Sequence, residues 1–499
     1  MDDDLDEWTV TTPTGTTQLE VFKTQIVGVL SVFLRNLIIA TFFKNRYNKI
    51  NAFLIDFVTL VVSFLLALTL LANHLDELLS FLALSSLTLI LVQKFLRKEN
   101  YVIYKPTEYL AYFRSAFLLG TVLAILAVDF RVFPRRFAKT ESYGYSVMDI
   151  GTALFVFSHA LSEYLGAQNP EKSKTPFLTI FGRPIPAFGV LFVLGVGRAI
   201  VIYLTGYHQE VTEYGVHWNF FITLCCLKIF STFVPYPYTI PTGLVIGIGY
   251  QTALTNGLQR WLLRRSRYRY GLLDENREGI YSLFGYIFLF SLAQLLARGL
   301  SVFNGVLRPN KRSVLLIFLT SAALYGLQLQ SIIKFGQPSR RLANFPYIFS
   351  TTSIITFTLG CFQVIQLLGN EKFSKEAPET EATTSAQVQE IPIEDEATLG
   401  NEVSIETNGV TEEDEKLKTV ETPVPSLLDA VSKNGLLFFL IANLATGFVN
   451  LTISTPQYLD VPLQITILSV YALAISEWIY LYNSGILFKC REKKVEKVA

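Results

Sequence analysis

Long apolar runs, separated by short polar stretches, organise this chain. They fall at roughly 21–43, 50–73, 76–96, 110–129, 146–166, 180–205, 216–236, 240–262, 279–297, 313–334, 346–368, 434–454 and 461–483, and each is about the 20 residues that a helix needs to cross a bilayer. Their Leu, Phe, Ile and Val show no strict alternation of apolar and polar positions, so the pattern predicts helices and not barrel strands. The expected fold class is therefore an all-α polytopic membrane protein with about thirteen transmembrane helices. Composition agrees: 51% of residues are hydrophobic, 17% are charged and the mean hydropathy is +0.39, outside the range of soluble globular domains.

The same pattern divides the chain. Residues 1–20 form an acidic N-terminal segment, 21–370 a first block of eleven helices, 371–424 an acidic loop, 425–485 the last two helices and 486–499 a basic tail. The N-terminal segment (Asp2, Asp3, Asp4, Asp6, Glu7, Glu20) lacks the basic start of a cleavable signal peptide, so the first span is expected to target the chain. The loop holds 15 acidic and 4 basic residues with one aromatic, Phe373, and its Glu, Thr and Ser content predicts disorder. Setting it aside leaves 38 basic against 26 acidic residues. A membrane body of that sign suits anionic partners, which membrane phospholipids or a dedicated substrate would both supply, with no nucleic acid called for.

Basic residues mark one face. Loops one (Lys44, Arg46, Lys49), three (Lys94, Arg97, Lys98, Lys105), five (Lys172, Lys174) and nine (Arg308, Lys311, Arg312) are basic, as is the tail, so these are expected on the cytosolic side with the C-terminus. An odd number of spans then puts the N-terminus in the lumen. Loops four (Arg131, Arg135, Arg136, Lys139), eight (Arg264, Arg265, Arg267, Arg269, Arg277) and ten (Arg340, Arg341) carry basic charge on the disfavoured side. That exception calls for another reason, and the densest polar sequence of the chain sits on the same side: "FPRRFAKTESYGYSVMD", "HQEVTEYGVHWNFF", "DENREGIYS" and "SRRLANFPY". Four loops anchored on packed helices converge readily on one cavity.

Plainer roles stand beside functional ones. Ser146-x-x-Asp149 has the spacing of a capping box, Asn276 sits where a cap belongs, and Tyr143, Trp218 and Tyr347 suit an interfacial belt. His159 lies inside an apolar run, as a packed, hydrogen-bonded histidine would. Four cysteines (Cys225, Cys226, Cys361, Cys490) have neither metal-ligand nor disulfide spacing, and no bound metal is expected. Asn450-Leu-Thr452 is a glycosylation sequon at a helix end.

The blocks "AVDFRVFPRRFAKTESYGYSVMDIGTALFVFS" (127–158), "HQEVTEYGVHWNFFITL" (208–224), "NREGIYSLFGY" (276–286), "SRRLANFPY" (339–347) and "NGLLFFLIANLATGFVN" (434–450) resemble, in order, the inositol acyltransferases of glycosylphosphatidylinositol (GPI) anchor synthesis, the fungal Gwt and vertebrate PIG-W family. The acidic loop and N-terminus match nothing specific and have the style of a yeast or other fungal member. The resemblance implies a multi-pass enzyme of the endoplasmic reticulum membrane. It would move a fatty acyl chain, typically palmitoyl, from acyl-CoA to the inositol 2-hydroxyl of glucosaminyl-phosphatidylinositol. Acyl-CoA would be a co-substrate, and no permanently bound cofactor is implied.

That chemistry needs a base for the hydroxyl proton, a donor for the developing oxyanion and an apolar groove. Asp129 is the first choice of base; its carboxyl is open to being raised by burial or held ionised by neighbouring cations. Lys139 is open to pairing with it, supporting the oxyanion or binding phosphate. His217, with His208 and Glu213, forms the rival proton-transfer set; a spacing of nine between the histidines matches no helical face or zinc motif. Substrate contacts are expected from Arg135, Arg136, Glu141, Tyr143, Asp149, His208, Glu213, Tyr214, Trp218, Asn219, Asn276, Arg277, Glu278, Arg340, Arg341, Asn344 and Asn443. A lipid transporter or flippase, or a non-catalytic assembly factor, is the alternative class. The former would be expected to show helix breaks and internal symmetry, whereas the charges here gather at span ends.

Overall fold

The computed structural model describes residues 15–43, 48–95, 109–168, 178–180, 183–185, 187–205, 214–264, 271–302, 309–376, 426–453 and 460–485. The greater parts of the N-terminal segment, the acidic loop and the basic tail lie outside the described residues, as do His208 and Glu213. The helices are α1 (Gln18–Phe42), α2 (Lys49–Leu68), α3 (Leu75–Phe95), α4 (Tyr109–Ala127), α5 (Ile150–Gln168), α6 (Ala187–Thr205), α7 (Phe220–Phe233), α8 (Thr239–Ala253), α9 (Gly271–Glu275), α10 (Arg277–Ser301), α11 (Lys311–Phe335), α12 (Phe345–Glu376), α13 (Leu427–Lys433), α14 (Gly435–Thr452) and α15 (Val461–Asn483). Nine of these, among the described residues, are long and apolar enough to cross a membrane: α1 to α4, α10 to α12, α14 and α15. The other four apolar runs fall on α5, α6, α7 and α8, the last continuing through a π-helical turn, Leu254–Leu258, to Leu262.

Two boundaries differ from the sequence pattern. The run expected as a span from 180 opens instead with an antiparallel hairpin, β1 (Leu178–Ile180) and β2 (Arg183–Ile185), and α6 starts only at Ala187. The sequence "FGRPIPAF" explains this, because a proline inside a helix removes a backbone donor and clashes with the preceding turn. Second, α12 runs to Glu376, past the expected boundary at 370, and the chain returns after the acidic stretch as the short helix α13 rather than directly as a span.

The bundle is layered. In α4 and α12, 72% and 78% of the apolar window is buried within the protein, against 22% in α3 and 28% in α11, so the former pair are inner helices and the latter face lipid. Close approach depends on small residues, as in other membrane bundles. A Cβ at Gly247 of α8 would lie 2.3 Å from the Phe288 ring of α10, and α8 and α10 pack together at that point.

Deep inside, Arg35 of α1 and Asp56 of α2 form an ion pair with no solvent exposure, Nε to Oδ1 at 2.7 Å. Asp56 Oδ2 accepts the backbone N–H of Leu427 at 2.8 Å, and the Ser115 hydroxyl donates to the Leu428 carbonyl. Ser426 caps α13, its Oγ accepting from Asp429 N. Leu427, Leu428, Ala430 and Val431 are wholly buried. The pair thus fixes where the chain re-enters the bundle after its acidic excursion. Removing one partner of a buried ion pair leaves an uncompensated charge, so Asp56→Ala is expected to destabilise the protein by about 3–5 kcal/mol. The double change Arg35→Met, Asp56→Leu should cost less than the single one; thermal unfolding in detergent measures both, and equal losses would show that the ion pair is not the lock.

Candidate active site

The stretch after α4 folds because its aromatic residues point inward. Phe130, Phe133 and Phe137, spaced three and four apart, are fully buried, and Phe133 meets Phe137 edge to face at 6.1 Å. Val132 N donates to Gln464 Oε1 of α15 at 2.9 Å. With Phe137 inside, its carbonyl accepts from Met148 N at 3.1 Å and closes the loop. Asp149 closes it a second time: Oδ2 accepts from the Thr140 hydroxyl at 2.7 Å and the Thr140 N–H at 3.2 Å, while Oδ1 accepts from Arg340 Nε at 2.8 Å. Ser146 Oγ accepts from Asp149 N in the turn that leads into α5, and the Asp149 carboxylate bridges two loops instead of completing a capping box.

The four polar loops do come together, and many of the expected substrate contacts are engaged by one another. Arg341 donates to Glu278 Oε1 at 3.0 Å and to the Glu141 carbonyl at 3.1 Å. Arg277 pairs with Asp274 at 2.8 Å, bonds the Arg264 carbonyl and lies 5.5 Å over the Trp261 ring. Arg340 lies 5.8 Å over Tyr214. Asn344 accepts from Ser339 N and Tyr347 N and donates to the Gln337 carbonyl, and the Tyr143 hydroxyl bonds Gln259. Asn276 stands at the N-cap position of α10 without capping it: its Oδ1 accepts from His217 N at 2.8 Å and Trp218 N at 2.9 Å, and its Nδ2 donates to the Leu272 carbonyl. Gly215, at φ +124°, permits this contact, since a Cβ there would lie 2.6 Å from Asn276 Cα. These residues form a buried polar joint between loops, because a charge taken out of water must be paired where it is buried.

Arg136, expected to meet phosphate, is held within the protein. Its fork bonds Glu20 at 2.9–3.2 Å, the Ala72 carbonyl at 3.1 Å and Asn73 at 2.7 Å, tying loop four to the start of α1. Thr16 N also donates to the Tyr145 carbonyl, so the beginning of α1 and loop four share one face. The His217 ring points outward: its side chain is 59% exposed and sits 3.6 Å from Glu275. His159 bonds Glu163 and stacks edgewise on Phe290, a packed histidine.

Beside the joint lies a cavity of about 170 Å³. Its walls are mostly apolar (Phe64, Phe117, Met148, Phe155, Phe220, Phe439), with Lys139, Tyr214, Asn219 and Asn443 from the expected site, and with Arg198. The Tyr214 hydroxyl bonds Thr152 at 3.0 Å, Asn219 caps α7 and reaches the Gly195 carbonyl at 2.8 Å, and Asn443 Nδ2 donates to the Phe439 carbonyl. Asp129 stands one turn beyond Ile125 of the cavity wall, and accepts from Asn450 Nδ2 at 2.8 Å. Asn443 and Asn450 are seven residues apart, two turns along one face of α14. Burial pushes the Asp129 carboxyl above the ordinary carboxylate range, opposed by the Asn450 bond and by the charges of Lys139 and Arg135. A desolvated carboxylate is a stronger base than a solvated one, and its cationic neighbours suit developing negative charge.

Two residues at or beside the cavity are not among those the sequence singles out for the site. Arg198 was legible as a lone charge in the apolar run "GVLFVLGVGRAIVIYLT"; such residues cost about 2.5–3.5 kcal/mol at a helix centre and mark sites. Asn450 drew notice only as a sequon, because nothing in the sequence joins it to a residue 321 positions away. Among the described residues no cluster of His, Cys, Asp or Glu could hold a metal ion.

A profile of the GWT1 family matches residues 3–482. Proteins named GPI-anchored wall transfer protein 1 are similar along most of their length. The one from Candida albicans is 29% identical over 86% of this chain and 88% of its own, that from Aspergillus fumigatus 31% over 88% and 89%, and that from Emericella nidulans 31% over 89% of both.

The polar joint generates a stability prediction independent of chemistry. Asn276→Ala removes the acceptor of two backbone N–H groups and should lower stability by roughly 1–3 kcal/mol, whereas Asn276→Asp, which keeps the acceptor, should lose less. Melting of the purified protein in detergent measures this; identical losses would show that the shared oxygen does not hold the loops.

Proposed function

The chain belongs to the GWT1 family, and from that premise we propose that it is a membrane acyltransferase of GPI-anchor biosynthesis in the endoplasmic reticulum. It moves a palmitoyl chain from acyl-CoA to the inositol 2-hydroxyl of glucosaminyl-phosphatidylinositol. The observation that carries this reading is the desolvated carboxylate of Asp129, held by Asn450 and faced by Lys139, which itself lines an apolar cavity.

In this reading ionised Asp129 accepts the proton of the 2-hydroxyl as its oxygen attacks the thioester carbonyl. Lys139 and polar groups nearby stabilise the oxyanion. Collapse breaks the carbon–sulfur bond, and the proton passes from Asp129 to the departing CoA thiolate, so the ester, free thiol and ionised base are restored. His217 is the weaker candidate, because its exposed ring faces Glu275 and does not line the cavity.

Purified protein supplied with labelled acyl-CoA and glucosaminyl-phosphatidylinositol tests the proposal, since transfer by the protein alone separates an enzyme from a transporter or an assembly factor. Asp129→Asn should lower kcat by roughly 10²-fold or more while the protein stays folded; near-normal transfer would remove Asp129 from the role of base. The base must be ionised, so the rate should fall as pH falls through a pKa raised above the ordinary carboxylate value. Asn450→Ala deletes a bond that holds that pKa down and should move this acid limb to still higher pH. An unmoved limb in Asn450→Ala, with activity otherwise reduced, would place the titrating group elsewhere.

A further inference from the structure

Most cations of the polar loops have internal partners, and one cation of the cavity wall, Arg198, differs from them. Arg136, Arg277, Arg340 and Arg341 are bound to Glu20, Asp274, Asp149 and Glu278. Lys139 and Arg198 instead contribute to the cavity wall, and no Asp or Glu does so among the described residues. Arg198 is exposed on α6 and, among the described residues, has no hydrogen-bond or ion-pair partner. Lys139 apart, the polar groups sharing the wall with it are neutral, among them Gln25, Thr152, Tyr214, Asn219 and Asn443.

Arg198 lies seven residues before the end of α6 at Thr205, about 10 Å along the axis from that end. The phenylalanines of the wall occupy the same cavity. A group that complements all of this is anionic, accepts planar paired hydrogen bonds and is joined to an apolar chain. Guanidinium forks match phosphate oxygens in that way.

We propose that Arg198 is the phosphate contact of the site. With Lys139 giving charge from the opposite loop, it draws the phosphate ester of an amphiphilic substrate below the headgroup plane. This deepens the reading above and rests on it for the identity of the substrates, both of which carry phosphate joined to a chain. The position of Arg198, nearer the face of Lys139 than the opposite end of α6, favours the phosphodiester of the inositol lipid over the phosphates of acyl-CoA. Arg135 and Arg136, the basic residues most conspicuous in the sequence, are then not needed for that contact.

Arg198→Gln tests this cleanly, because removing a charge from an apolar helix favours insertion and does not threaten the fold. In steady-state transfer it should raise KM for the inositol lipid roughly 10- to 100-fold, with kcat and the acyl-CoA KM little changed, and Arg198→Lys should fall between it and the native protein. A binding assay independent of transfer uses phosphatidylinositol in detergent micelles, read by thermal shift, with diacylglycerol as the neutral control. The native protein should be stabilised by the former alone, and Arg198→Gln by neither. A rise in the acyl-CoA KM in place of the lipid KM, with palmitoyl-CoA giving the Arg198-dependent shift, keeps the phosphate contact and assigns its occupant to the donor. Unchanged KM for both substrates together with an unchanged phosphatidylinositol shift overturns the proposal. Because binding is read without turnover, an inactive protein that still shows the Arg198-dependent shift would refute the acyltransferase reading and leave the phosphate contact standing.

Discussion

The carboxylate of Asp149 is the constraint from which the site hangs. Both of its oxygens are bonded, one to Thr140 within the same loop and one to Arg340 from the loop after α11, while its backbone carbonyl accepts from the Tyr347 hydroxyl of α12. A buried carboxylate is tolerated only when its lone pairs are met in this way. The consequence is positional. Thr140 is pinned, so Lys139 next to it is held at the cavity wall, and the loop cannot drift away from the helices that make the rest of that wall.

The same economy governs the other charges. The basic residues of the polar loops are largely matched by nearby acids: Arg136 by Glu20 of α1, Arg277 by Asp274 three residues before it, Arg341 by Glu278 of α10. Matched pairs act as ties between segments, and their cost is met locally. Beside these pairs stand the groups to which we assign the chemistry, a desolvated Asp129 bonded to Asn450, and Lys139 and Arg198 on the cavity wall. A low-dielectric cavity strengthens each of these charges relative to water, so few are required.

A second lock lies deeper. Arg35 and Asp56 hold α1 and α2 together and fasten the first residue of α13, so the acidic stretch leaves from α12 and returns to a fixed point. From α14 the chain then supplies Asn443 to the cavity and Asn450 to Asp129. The segments on the two sides of the acidic stretch therefore build one site, which is how a chain can carry a long acidic insert without disturbing the geometry beside it.

The sequence by itself determined the helical membrane class, because apolar runs of bilayer length are a local property that water and lipid enforce directly. It also singled out the four polar loops and, through Asp129, Lys139, Tyr214, Asn219 and Asn443, five residues at or beside the cavity. What it could not decide was which polar residue faces which. Arg136 and Arg198 are equal as cations in a list; only the fold puts Glu20 against the first and a cavity against the second. Asp149 and Asp129 are likewise both carboxylates near a helix end, yet one is closed by Thr140 and Arg340 and the other is left beside Lys139 and Asn450. Such pairings join residues up to 321 positions apart, and the energy that selects them exists only once the helices have packed and excluded water.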